Sequence, residues 1–312
     1  MDNEFGRIWK DWAFVEIIGI SPNTKVYKAI KESEEIIQVS AIKIANLFMD
    51  PEENNGNQNN RLLYCQDSGS DTSMERKVYI SRILRASQFP GNHNLLRIQD
   101  YREIKDIANR KCILFIRMEF LQNLDDYLIE KQILTEKEIC RIGLNICDAL
   151  MTCIRERLFP PEIKPSNIFV TKEGEFKLDP LRIPGYLREK GSIFFADRAY
   201  EFVSPDVINN NKIDDRAEIY SLGLLLYFLS NANRMPFLNA KESIADFAER
   251  EAAFFRRMKG ERLLPPFQGS ASFIRVILKA CSYDPSNRYK SIEDFYDAIK
   301  NVSLKESGDS PD

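Results

Sequence analysis

"IKPSNIFVTKEGEFKLDPLRI" fills residues 163–183 and carries the pattern that decides the fold. NIFVT (167–171) and EFKL (175–178) are two short β-rich runs around Lys172-Glu173-Gly174, a polar turn ending in glycine. Lys164 and Asn167 flank Pro165 at the entrance, and Asp179-Pro180 stands at the exit.

Upstream, Thr135-Glu136-Lys137-Glu138 forms a capping box. It opens a helix whose Ile139, Ile142, Ile146, Leu150 and Cys153 recur every three or four residues. The first part of the chain reads as strands: FVEIIGI, KVYKAI, IIQVSAIKIA, NLLRIQDY and CILFIRMEF. A helix with Met74, Val78, Ile83 and Leu84 interrupts them. Residues 49–72 are polar and Asn-rich, as expected of a flexible insertion. Downstream, helices dominate. Ile219 to Leu229 is an apolar run of the length of a buried helix, too short to span a bilayer. Ser291-Ile292-Glu293-Asp294 caps the last helix, and SLKESGDSPD reads as a disordered tail. The expected organisation is α+β with two lobes: a β-rich lobe with one main helix (1–121), a helical lobe (122–301) and a tail (302–312).

The chain has 312 residues and a net charge of −3, with acids and bases interspersed. That argues against a nucleic-acid binder driven by a phosphate-neutralising field. Six cysteines form no C-x-x-C pair, and the single histidine, His93, has no metal-binding partner at useful spacing. The N-terminus lacks an apolar signal core. Reduced thiols, a cytoplasmic location and no membrane or nucleic-acid partner are expected.

Seven motifs in order resemble the eukaryotic-like serine/threonine protein kinase family, from about Trp12 to Lys300. IIGISPNTKVYKA looks like the glycine-rich loop, and SAIK, ending in Lys43, like the V-A-I-K strand. FIRMEFL is similar to the strand entering the interlobe hinge, IKPSNIFV to the catalytic loop and EFVSPDV to the end of the activation segment. EIYSLGLLLYFLS resembles the central buried helix, and DPSNRYKSIEDF the late arginine motif. The resemblance implies a kinase-like fold and pairing of Arg288 with Asp206. It also implies nucleotide contacts at Gly19, Ser21, Val26, Lys43, Glu119 and Leu121.

Phosphoryl transfer needs a phosphate cradle, a lysine, Mg²⁺ ligands and a base. The family pattern puts Gly19, Ser21 and Thr24 on the three cradle glycines, so one glycine remains, and Pro22 removes a donor. The helix glutamate that would pair with Lys43 falls on Ile80, with Glu75 the nearest acid on that helix. The catalytic loop H-R-D becomes Pro160-Pro161-Glu162, which puts Glu162 at the base position; Lys164 keeps its phosphate-contact place and Asn167 its Mg²⁺-ligand place. Counting without gaps puts Pro180 on the D-F-G aspartate, and Asp179 arrives one residue early, facing the other way along a strand. Ala199 replaces the segment threonine, and Glu218 the central-helix aspartate.

The expectation is a pseudokinase: a regulatory module that holds ATP weakly and without Mg²⁺. It would act on another protein, an active kinase or its substrate. The alternative is a slow serine/threonine kinase, or another nucleotide-dependent transferase, using Glu162, Lys164, Asn167 and a shifted Asp179. The segment from Ile183 to Tyr200, with Phe194 and Phe195, is a candidate contact surface.

Overall fold

The structure, a computed structural model, describes residues 8–21, 24–33, 36–48, 72–87, 93–106, 111–158, 161–181, 200–210, 214–238 and 246–306. The chain divides into two compact units: residues 1–91 with 97–121, and residues 92–96 with 122–312. Most of the expected insertion, residues 49–71, and the contact surface at Phe194 and Phe195 lie outside the described residues.

The first unit is a five-stranded antiparallel sheet in the order β1-β2-β3-β5-β4. Its strands are β1 (Ala13–Ser21), β2 (Thr24–Glu32), β3 (Ile37–Phe48), β4 (Ile98–Asp106) and β5 (Lys111–Glu119). Helix α1 (Thr72–Ser87) lies between β3 and β4 in the chain. Ile83 is its buried anchor, whereas Leu84 is 40% exposed. NLLRIQDY is strand only from Ile98 onward. Leu95 instead bridges Leu178 in the second unit.

That second unit opens with β6 (Gln122–Asn123) and α2 (Leu124–Lys131), followed by α3 (Glu136–Arg155). The capping box before α3 forms as the residues require: Thr135 Oγ1 accepts the Glu138 N–H, and Glu138 Oε2 accepts the Thr135 N–H. The five periodic residues from Ile139 to Cys153 that define its apolar stripe are all buried, as is Cys140 beside them. A 3₁₀ turn at Pro165–Asn167 leads into the hairpin of β7 (Ile168–Val170) and β8 (Phe176–Leu178). Gly174, at φ +79°, takes the left-handed conformation that closes this tight turn.

Helices α4 (Pro205–Asn210), α5 (Asp215–Ser230), α6 (Phe247–Met258), α7 (Ala271–Ala280) and α8 (Ile292–Glu306) complete the unit. Ser291 Oγ accepts the Asp294 N–H at the start of α8, as the sequence predicts. The helix then runs through Glu306, into the stretch read as tail. Helix α5 is buried on nearly every side, from Ala217 to Ser230. Its Gly223 permits close packing: a Cβ there would lie 2.6 Å from Ala280 Cβ on α7. Among the described residues, no helix is long and apolar enough to cross a membrane. Among the described residues, the five cysteines at 112, 140, 147, 153 and 281 are buried and form no disulfide.

Candidate functional site

In the first unit, the ladder places several predicted nucleotide contacts on one face of the sheet. Val26 pairs with Gly19 on one side and with Lys43 on the other, and Lys28 pairs with Ala41. Directly opposite residues on an antiparallel ladder share a face. Lys43 is buried, 3% exposed. The β1–β2 ladder continues to Ser21↔Thr24, leaving two residues between the strands. A Cβ on Gly19 would meet Val26 at 3.6 Å, an ordinary contact, so strand packing does not itself require that glycine.

The hinge-side residues are placed differently. Glu119 Oε1 accepts the Arg97 backbone N–H at 2.7 Å, and the Glu119 N–H donates to Arg97 O at 3.1 Å. Its carboxylate therefore fastens β5 to the entry of β4. Leu121 is half-buried. Ile80 is half-buried on α1, in the place of the expected helix glutamate.

In the second unit, three residues of the predicted catalytic loop close on one another. Lys164 Nζ lies 3.2 Å from Glu162 Oε2. Asn167 Nδ2 donates to the same Oε2 and to the Glu162 backbone carbonyl, both at 3.0 Å. All three residues are buried. The short loop explains the arrangement: Pro165 opens a 3₁₀ turn, and Asn167 N–H donates to Lys164 O, folding the amide back over residue 162. Glutamate reaches one methylene farther than aspartate, far enough to meet both partners. Pro161, in the place of the loop arginine, is buried beside them in sequence and brings no charge.

The hairpin register runs without irregularity from Ile168↔Leu178 to Val170↔Phe176. The Asp179 N–H extends it by donating to Asn167 O at 2.9 Å. Asp179 therefore stands on the rung next to Asn167, and Pro180 follows outside the ladder. Asp179 Oδ1 accepts the Leu181 N–H at 2.8 Å, the side-chain turn that an Asp-Pro pair favours.

Asn167 Oδ1 is buried without a hydrogen-bond partner, because the amide nitrogen of the same group is committed to Glu162. It is one hard oxygen of the kind Mg²⁺ accepts. Pro180 supplies no side-chain oxygen, and Asp179 Oδ1 accepts the Leu181 N–H. The side chains here that could hold Mg²⁺ are the Asn167 amide and the Asp179 carboxylate.

Farther along the chain, the segment anchor is complete. Arg288 Nη2 donates to Asp206 Oδ1 and to Tyr283 O, Nε to Ser282 O at 2.8 Å and Nη1 to Arg216 O at 2.9 Å. The guanidinium also lies 4.7 Å from the Tyr220 ring centroid. A second buried arginine, missed in the sequence, does similar work: Arg257 donates to Val203 O, Glu201 O and Tyr220 Oη. Its position inside the basic stretch FFRRMKG gives only a weak signal, since such runs usually lie on a solvated face. Glu218 is buried in the first turn of α5. Pro22, Pro160 and Ala199 lie outside the described residues, as do the side chains of Ser21 and Glu75.

Residues 12–298 match the protein kinase domain family. The chain is 24% identical over 208 residues to a probable serine/threonine-protein kinase of Clostridium perfringens, covering 64% of this chain and 29% of that protein. It is 24% identical over 204 residues to the serine/threonine-protein kinase PknB of Mycobacterium tuberculosis, covering 63% and 32%. A putative serine/threonine-protein kinase of Acanthamoeba polyphaga mimivirus is 24% identical over 237 residues, covering 72% and 78%. The chain thus spans about three tenths of the bacterial relatives' length and most of the viral one.

Proposed function

The chain belongs to the protein kinase family, and from that membership we propose that it is a degenerate member, a binding and regulatory module. It holds a nucleotide weakly and without Mg²⁺, and transfers phosphate slowly or not at all. The observation that carries this reading is the closed group of Glu162, Lys164 and Asn167. A catalytic base must offer its carboxylate to a substrate hydroxyl, and a phosphate-contacting lysine must offer its ammonium. Here each engages the other inside the loop. The loss of an oxygen at Pro180 points the same way.

In this reading the module acts by binding another protein, an active kinase or its substrate, and shifting that partner's conformational equilibrium. Arg288 and Asp206 keep the shape that such a surface needs. A second reading, a slow serine/threonine kinase, draws support from one atom: Asn167 Oδ1, buried and unbonded, is available to a cation.

Thermal denaturation with ATP separates the two. The degenerate reading predicts equal, small stabilisation in Mg²⁺ and in EDTA. Stabilisation that appears only with Mg²⁺ favours the kinase.

A further inference from the structure

The sheet of the first unit has a second face, and the chain covers it with its own N-terminal residues. Strand alternation puts Ala41 and Lys43 on the face with Val26, and Ile42 and Ile44 on the other. Trp9 and Trp12 pack on that other face with Ala29, Ile42, Ile44 and Phe115. The Trp12 N–H donates to Trp9 O at 3.0 Å, which turns the segment so that both indoles meet the sheet. Trp9 Nε1 donates to Asp100 Oδ2 at 2.8 Å. Arg117 lies over both rings, 5.9 Å and 4.9 Å from their centroids. A register shift between Ile98 and Asp100 brings Asp100 opposite Arg117, so that one rung supplies both polar contacts. At the rim, Lys31 Nζ meets Asp11 Oδ2 at 3.0 Å.

We propose that Ile8–Trp12 is a positioning strap for the nucleotide face, fixing from behind the strands that carry Val26, Ala41 and Lys43 in front. The inference rests on the nucleotide-binding reading above. Its physical basis is a single layer of backbone. Ile42 touches the strap cluster, and its two chain neighbours, Ala41 and Lys43, belong to the opposite face. A close-packed interior transmits displacement rather than absorbing it. Two indoles bury a large area for a five-residue segment, and each is 9% exposed. Trp9 and Trp12 are positioning residues in this account, because they act through β3 and touch no ligand.

Linkage supplies a test that a merely stabilising cover would not pass. If a docked strap strengthens nucleotide binding, bound nucleotide must strengthen strap docking by the same factor. The chain has only two tryptophans, both in the strap, so its indole fluorescence reports on nothing else. Equilibrium dialysis of the full chain with radiolabelled ATP in EDTA gives the affinity, and iodide quenching with and without saturating ATP gives strap docking. The expected results are weaker quenching with ATP, about tenfold weaker binding in Trp12→Ala, and binding within about twofold of wild type in Trp12→Phe. Quenching indifferent to bound ATP, or wild-type affinity in Trp12→Ala, overturns the strap. If Trp12→Ala does not fold, the quenching of the wild-type chain decides alone. Failure of the wild-type chain to bind ATP instead overturns the nucleotide reading, and the strap's role falls with it.

Discussion

Lys164 Nζ lies 3.2 Å from Glu162 Oε2, with the two side chains 6% and 7% exposed. Removing Lys164 takes this opposite charge away from the buried Glu162 carboxylate. Lys164→Met is expected to cost about 3–5 kcal/mol, read from urea unfolding. Replacing both residues, Glu162→Leu with Lys164→Met, should recover most of that loss, since a packed apolar pair is often as stable. Equal losses in the single and double variants would mean that the pair does not hold the loop.

Arg288 makes hydrogen bonds to three backbone carbonyls and the Asp206 carboxylate. Lysine carries the charge without the planar fork and cannot reach all four. Arg288→Lys should therefore destabilise the chain by about 3 kcal/mol, visible as a lowered thermal midpoint. A midpoint unchanged from wild type would contradict the anchor.

Gly223 is demanded by packing, since its Cβ would stand 2.6 Å from Ala280 Cβ and 3.2 Å from Cys281 Sγ. Gly223→Ala should cost about 1–3 kcal/mol through overpacking. Adding Ala280→Gly relieves the closest clash and should restore part of the loss in the same melting experiment.

Burial pushes the Cys281 thiol up to about 12 and the Cys147 thiol well above its ordinary value. Both groups are thus neutral in the folded chain, while unfolded thiols ionise near about 8.5. The sign follows: their contribution to stability is complete below the unfolded value and is lost as pH rises toward about 12. The urea midpoint should fall between pH 8 and pH 10. At pH 8, a thiol reagent should leave the five buried cysteines unmodified until the chain unfolds.

Local patterns were legible in the sequence where neighbours in the chain decide the structure. Thr135 and Glu138 announced their capping box, Gly174 its turn and Ile139 to Cys153 their stripe. The Arg288–Asp206 contact was legible through the family resemblance, although the residues are 82 apart. Contacts that depend on irregular strands were not legible. Trp9 meets Asp100 only because β4 shifts register after Ile98, and no alternation pattern marks that bulge. The Glu119 carboxylate accepts the Arg97 backbone N–H, and a strand pattern does not reveal which backbone N–H a side chain will cap. Glu162, Lys164 and Asn167 were individually visible as candidates. Their mutual closure depends on one extra methylene at Glu162 and the sharp turn after Pro165, and single-residue readings do not convey such geometry.

The central claim is that this kinase-family chain transfers phosphate slowly or not at all. The direct measurement is transfer of label from γ-labelled ATP, in excess Mg²⁺, to a generic protein substrate and to the chain itself, with Lys43→Ala alongside. The expected result is incorporation at or barely above that of Lys43→Ala. Robust incorporation that requires Mg²⁺ and disappears in Lys43→Ala would contradict it.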